Sequence, residues 1–361
     1  MLLKELFERY GYQLEQKYGH RLLPTQRRAI DDIINCRTPV LGEILSTCLH
    51  CGVDHTRPHS CGNRNCPVCQ NHLATAWLDK QRAKLLPVRY YLITFTLPAQ
   101  LRATAYNHQR IVYNALLDAA KDTVNDVARN PKHLGAQQIG LTAVLHTNSR
   151  KLDFHPHVHI VLPAGGIDVS GKQWLSNSRK YLFPYQVLKT LFREKFLAAL
   201  RDAKIAYAPE LHKTEWVVNI RAAGTGEPAL MYLSRYLYRG VIQERNILND
   251  ENGLVTFNYL EAKTDTWQKR TLPAVEFLYL LLTHVLPKRF RRTRSYGFLH
   301  GNAADNLRKI QIILKAAPSL AKRTAKPLQL KCPDCGAMES ILSYNYRRSF
   351  EQLSNIRGSP T

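Results

Sequence analysis

The stretch Phe154-His155-Pro156-His157-Val158-His159-Ile160-Val161-Leu162-Pro163 decides how the rest of the chain is read. Apolar and polar positions alternate through its centre, which is the period of a β-strand with one buried face. Alternation sends Val158, Ile160 and Leu162 to one side and His155, His157 and His159 to the other. Two imidazoles two residues apart on a strand point the same way, close enough to share one cation on a rigid mount. A half-exposed strand that is merely rich in histidine is the competing reading. Three histidines opposite an unbroken apolar face weigh against it.

Working outward, residues 138–146 read as a strand and residues 151–163 as its antiparallel partner, with Asn148-Ser149-Arg150 as the turn. The histidine strand is then the second arm of a hairpin. Residues 90–97 form another strand, stopped by Pro98. Helical patterns cover residues 1–40 in two pieces, forming a small platform, and then 74–86, 100–129, 184–203, 275–285 and 302–316. Short strands fall at 215–220, 241–248, 253–259 and 266–272. Residues 166–173 nearly match a phosphate-cradling loop. Gln173 stands where that loop needs Ser or Thr and no helix follows at once, so the segment reads as a turn without a nucleotide.

A second stretch with chemical content runs from Glu227 to Gly240. Pro228 suits the first turn of a helix and Gly240 its C-terminal stop. Leu230, Leu233 and Leu237 make an apolar stripe. Tyr232 and Tyr236, four apart, lie one above the other on one face, with Arg235 and Arg239 in a parallel row. Two tyrosines alone read more readily as core. Two permanent charges beside them favour phenols serving as nucleophiles toward a phosphodiester.

The cysteines fall into knuckles. Cys48-Leu49-His50-Cys51 and Cys66-Pro67-Val68-Cys69 suit one tetrahedral Zn²⁺ held by four thiolates, with Cys61, His50, His55 and His59 as competing ligands. Four thiolates leave no open position, so this zinc is structural. Arg64 on the same scaffold is a candidate phosphate contact. Cys332-Pro333-Asp334-Cys335 is half a site with no second pair after it.

The chain has 361 residues, 45% of them hydrophobic, which is enough for two or three domains. Fifty-one Lys and Arg against 28 Asp and Glu give a formal charge of +23. A polyanion relieves that repulsion, with nucleic acid the first candidate and a membrane surface the second. Lys288, Arg289, Arg291 and Arg292 form a dense basic run without acids and read as DNA contacts. No apolar run approaches the ~18 residues that span a bilayer, and residues 1–10 lack a signal-peptide pattern. A reducing cytoplasm, in association with the nucleoid, is the expected location, and the eight cysteines are there expected to bind metal rather than each other.

Together these motifs resemble the rolling-circle transposases of the HUH superfamily, of the IS91 type found in bacterial insertion sequences and related to Helitrons. HUH denotes His, a hydrophobic residue, His, matched by His157-Val158-His159. The family's two tyrosines, four apart on a downstream helix, match Tyr232 and Tyr236. Its N-terminal cysteine-rich domain is matched by residues 48–69, including Ser60-Cys61-Gly62-Asn63-Arg64-Asn65-Cys66-Pro67. Phe95-Thr96-Leu97-Pro98, Pro131-Lys132-His133-Leu134-Gly135 and His284-Val285-Leu286-Pro287-Lys288 are further matching runs. The likeness covers roughly residues 20–315. The usual glycine run after the HUH strand is shortened to Ala164-Gly165-Gly166, and the chain after residue 320 matches less well.

The resemblance implies an α+β fold. A helical and zinc-binding N-terminal domain (residues 1–85) precedes an HUH nuclease domain (86–316) with a central antiparallel sheet and helices on one face. A basic tail (317–361) follows. It implies Mg²⁺ or Mn²⁺ on His157 and His159, with His155 or His146 as third ligand. Tyr232 or Tyr236 attacks single-stranded DNA at element ends, giving a 5′-phosphotyrosine and strand transfer to target DNA, with Arg235 and Arg239 as phosphate clamps. A host helicase is a further implied partner. Two alternatives remain at this stage: a replication initiator with the same chemistry, and a non-catalytic zinc-dependent DNA-binding protein.

Overall fold

The computed structural model describes residues 2–69, 71–176, 183–237, 240–261, 264–316 and 330–345. The class is α+β. Its centre is a five-stranded antiparallel sheet in the order Thr293–Gly297, Gly140–Asn148, Phe154–Pro163, Tyr90–Thr96, Val217–Ala222. The histidine strand is the middle strand, so both its edges are paired. Register sets His159 between Thr94 and Val144, and His157 between Thr96 and His146.

Helices cover both faces of this sheet rather than one. Ile93, Phe95, Leu145, Val158 and Ile160 face the long helices Gln109–Arg129 and Tyr185–Asp202 in one core. On the other face Tyr90, Leu92, Val144 and Val161 are also buried, beneath Asn71–Arg82 and Glu227–Leu237. Those four apolar residues explain the second layer, since a face that is apolar at one end needs a cover there. The histidines occupy the other end of the same face.

The long helical pattern over 100–129 breaks at His108 into Arg102–Asn107 and Gln109–Arg129. Residues 166–173 form a turn, as expected. The Asp168 carboxylate accepts from the Lys172 and Gln173 backbone N–H groups, at 3.1 and 3.0 Å, between two short paired strands. The strand Thr293–Gly297 follows directly from the basic run and pairs with Gly140–Asn148.

The helices Leu3–Tyr18 and Pro24–Ile34 share a core with Ala274–Leu282 and with the meander Ile247–Glu251, Leu254–Leu260, Trp267–Pro273. Tyr18 stacks on Tyr279 with centroids 4.0 Å apart. A third sheet joins both ends of the chain: Glu339–Asn345 pairs with Glu43–Cys48, which pairs with Asp54–Pro58. Among the described residues no helix is long and apolar enough to cross a membrane.

Candidate active site and cysteine centres

His146, His157 and His159 converge at one end of the sheet face that carries the tyrosine helix, with His146 and His159 buried there. One ring nitrogen from each lies within 4.8 Å of the others. Ring centroids are 4.6 Å apart for His146 and His159 and 4.8 Å for His157 and His159. Strand alternation on two neighbouring strands produces this, because His146 and His157 are register partners. His157 donates from Nδ1 to the His155 carbonyl at 2.7 Å, which leaves Nε2 as its lone-pair donor. Thr94 engages His159 Nδ1 at 2.8 Å. Burial lowers the pKa of all three rings: His157 to about 4, His146 and His159 well below the usual imidazole value. All three are therefore neutral at physiological pH, the form that binds a metal.

His155 shares the face but turns to Arg102, whose guanidinium lies 3.3 Å from His155 Nδ1. Of the two candidates for third ligand, the geometry brings His146 into the set. Three imidazoles with one ring nitrogen of each within 4.8 Å of the others suit a single divalent cation. Arg102 and the exposed Arg221, next to Leu92 in register, put positive charge at the margin. Neither arginine carries a motif. Arg221 was legible only as an outward position on a strand whose pairing had to be known first.

The tyrosine helix Glu227–Leu237 crosses this face. Ala229, Leu230, Leu233 and Leu237 are buried against Trp77, Tyr90, Leu92, Val144 and Val161. That contact sets the helix's rotation and turns Tyr232 toward the histidines. Its ring meets His159 edge-on, with centroids 6.1 Å apart. Before the helix, Gly226 has φ +82°, and a Cβ there would lie 2.6 Å from the Tyr90 ring, so only glycine permits this approach. Arg82 pairs with Glu227 at 2.7 Å, tying the helix start to the neighbouring helix. The backbone of Arg235 and Tyr236 continues the same helix. Their side chains, and Arg239, lie outside the described residues.

The cysteines group differently from the expected Cys48, Cys51, Cys66, Cys69 set. Cys66 and Cys69 join Cys36 and Cys61, while Cys48 and Cys51 face Cys332 and Cys335. Strand pairing is the reason. Glu43–Cys48 delivers its knuckle to the C-terminal segment, and the loop after Asp54–Pro58 returns to the end of the helix Pro24–Ile34, where Cys36 sits. In the first group Cys36 and Cys69 Sγ are 3.4 Å apart, Cys61 and Cys69 3.6 Å, and Cys36 and Cys66 3.7 Å. Thiolates on a tetrahedral zinc, with bonds of ~2.3 Å, stand about 3.8 Å apart, so this is a four-cysteine structural zinc centre. Cys36 carried no signal in the sequence because it belongs to no knuckle. The loop bearing this centre abuts the tyrosine helix's exit: a Cβ at Gly240 would meet Asn65 O at 3.0 Å and Pro67 Cα at 3.4 Å.

Of the basic residues, Lys288, Arg289 and Arg291 are exposed. Arg292 is not; it is 9% exposed, because its backbone carbonyl accepts from Leu145 N–H at 2.9 Å and draws it into the sheet. Burial and the nearby Arg64 lower its pKa to about 10. Arg64 is half-buried and donates to the Phe290 carbonyl at 3.3 Å.

Two family profiles match the chain: one described as "Transposase zinc-binding domain" over residues 6–97, and one described as "Putative transposase" over residues 140–306. The chain is 37% identical to the "Putative transposase y4qJ" of Sinorhizobium fredii, across 97% of this chain and 89% of that protein. It is 28% identical to the "Transposase for insertion sequence element IS801" of Pseudomonas savastanoi pv. phaseolicola, across 85% and 81%. No solved structure matches it. With the histidine centre, the tyrosine helix and the four-cysteine zinc centre in place, the chain belongs to the IS91-type HUH transposases, enzymes with an N-terminal zinc-binding part and a two-tyrosine transposase part.

Proposed function

We propose that this chain nicks and rejoins single-stranded DNA at the ends of an insertion element through a covalent tyrosine intermediate, in the course of rolling-circle transposition. The observation that carries the reading is the edge-on approach of Tyr232 to His159 within a three-histidine centre. The Tyr232 oxygen attacks the scissile phosphorus, the bond to the 3′ oxygen breaks, and that oxygen takes a proton. The products are a 5′-phosphotyrosine and a free 3′-OH. Mn²⁺ or Mg²⁺ held by His146, His157 and His159 would draw charge from the phosphate and from the leaving oxygen. An all-imidazole donor set favours Mn²⁺ over Mg²⁺, because Mg²⁺ prefers oxygen ligands. Arg102 and Arg221 border the centre and hold the strand's phosphates near it, with Arg235 and Arg239 as further clamps on the tyrosine helix. Tyr236, one turn on, is the second nucleophile and takes the second strand in turn, so that donor and target are joined without ATP. The names of the two relatives favour transposition over plasmid replication for this chemistry.

The test is incubation with Mn²⁺ and an end-labelled single-stranded oligonucleotide carrying the element's terminus. Wild type yields a protein–DNA adduct that resists denaturation. His157→Ala keeps DNA binding and loses the adduct. An adduct that persists in a Tyr232→Phe, Tyr236→Phe double variant sinks the assignment.

A further inference from the structure

We propose that Cys48, Cys51, Cys332 and Cys335 form a second zinc site, a zinc ribbon whose two knuckles come from opposite ends of the sequence. It rests on cysteine geometry alone and is independent of the DNA chemistry above. Cys332 and Cys335 lie outside both matched ranges, 6–97 and 140–306.

The two knuckles are built alike. Each reads Cys-x-x-Cys-Gly, and Gly52 and Gly336 both have φ +73° with open space where a side chain would project. Each glycine N–H returns to the carbonyl of the first cysteine, at 3.0 Å from Gly52 to Cys48 and 2.9 Å from Gly336 to Cys332. The N–H of each first cysteine then bonds the carbonyl five residues on, Val53 at 2.9 Å and Ala337 at 2.8 Å. His50 and Cys51 N–H both point at Cys48 Sγ from 3.4 Å, the arrangement that satisfies a metal-bound thiolate. Across the pair, Cys48 and Cys335 Sγ are 3.4 Å apart, and Cys51 and Cys332 3.7 Å, with all four sulfurs within 4.8 Å of one another. Those separations match thiolates about a tetrahedral zinc as well as those of the first centre do.

The surroundings fit a metal clasp. His55 Nε2 lies 3.3 Å from Cys332 Sγ, the outer-shell contact that tempers charge on a thiolate. Cys48 is the register partner of Glu339, whose carboxylate holds the guanidinium of Arg57 from the third strand. The clasp therefore locks a three-stranded sheet whose edge strand is Glu339–Asn345. The residues read as the start of a basic tail become part of the N-terminal zinc-binding unit. The two centres differ in access. Cys51 and Cys335 are exposed, whereas Cys61, Cys66 and Cys69 are buried. The clasp is thus the labile centre and releases its zinc first.

Zinc counting on the full chain tests this. Wild type carries two zinc ions per chain, and X-ray absorption at the zinc edge shows a sulfur-only shell at ~2.3 Å. Graded treatment with a mercurial thiol reagent releases zinc in two steps, and mass spectrometry finds Cys51 and Cys335 modified in the first. Cys332→Ser with Cys335→Ser lowers the count from two to one and removes hydrogen-exchange protection from residues 43–48 and 339–345. One zinc per wild-type chain overturns the proposal, as does a double variant that keeps two. A native mass showing these cysteines joined as disulfides overturns it equally.

Discussion

Replacing Gly226 by alanine should damage both the fold and the chemistry, by an amount the geometry fixes. The residue has φ +82°, and a non-glycine residue in the left-handed region costs ~1–2 kcal/mol. Its Cβ would stand 2.6, 2.8 and 2.9 Å from Cγ, Cδ1 and Cδ2 of Tyr90. Carbon pairs prefer 3.5–4.0 Å, so ring and loop must separate by roughly 1 Å. The ring cannot swing aside. It is 2% exposed, its hydroxyl accepts from Leu86 N–H at 2.8 Å, and its backbone bonds both Gly224 and Ala223 at 2.8 Å. Overpacking of this kind costs ~1–3 kcal/mol, for a total of about 2–5 kcal/mol. Gly224 is the internal control: its φ is +54° with nothing within 4 Å, so Gly224→Ala should cost only ~1 kcal/mol of backbone strain. Denaturant unfolding gives both numbers. Tyrosine attack depends on placement to within about 1 Å, so adduct yield at a temperature where both variants are folded should fall at least ~10-fold in Gly226→Ala and little in Gly224→Ala. Equal losses of stability in the two variants would refute the argument from the Tyr90 contact.

His146→Ala should weaken Mn²⁺ binding by at least ~10-fold in calorimetry while His155→Ala leaves it nearly unchanged; the reverse order would make His155 the third ligand. Acid should destabilise the chain well above the carboxylate range. Burial lowers His157 and His284 to about 4 when folded and holds His146 and His159 well below the usual imidazole value, because it disfavours their charged forms. Unfolded, each takes its proton near pH 6.5, so the unfolded state binds more protons between about pH 4 and 6.5 and stability falls as pH falls through that window. Between pH 8 and 6 each of the four contributes about 0.8 kcal/mol, or ~3 kcal/mol together, read as a fall in Tm of several degrees in buffer free of added Mg²⁺ and Mn²⁺. A flat Tm over that range would contradict the burial argument. Replacing Lys288, Arg289 and Arg291 by glutamine should lower the salt dependence of single-strand binding by ~2 in log–log slope if all three reach phosphates, whereas Arg292→Gln should chiefly lower stability.

What the sequence conveyed well was whatever depended on local period. The alternation at 154–163 placed three histidines on one face, and spacing at 227–240 placed a tyrosine beside an apolar stripe. Both survive as geometry. What it conveyed poorly was whatever depended on which elements meet. His146 and His155 were equivalent candidates until register paired His146 with His157 and a neighbouring helix claimed His155 through Arg102. The cysteines were grouped by proximity along the chain, but Cys48 follows its strand to Cys335 while Cys66 and Cys69 turn back to Cys36. Arg292 sat within a run of charges, and only the pairing of the next strand draws it inside. The second helical layer was missed because Tyr90, Leu92, Val144 and Val161 are spread over three strands and make a face only once those strands are aligned.

The arrangement also explains why a transposase would carry zinc with no catalytic position open. On the proposed mechanism, an attacking tyrosine would have to be held against a phosphate fixed by the histidine centre, and the two groups belong to different layers. The histidines ride on the middle strand of the sheet. Tyr232 rides on a helix that meets the sheet mainly through an apolar stripe. Such a stripe sets the helix's rotation but resists sliding along its axis only weakly, since leucine against leucine packs nearly as well one step away. The ends of the helix supply the missing constraint. At the start, Gly226 is pressed on Tyr90 and Glu227 is held by Arg82. At the exit, Gly240 lies against Asn65 and Pro67, whose loop is fastened by Cys61, Cys66 and Cys69. On the mechanism proposed above, the four-cysteine centre would act from a distance, as an anchor for the loop on which Gly240 rests beyond the tyrosine helix.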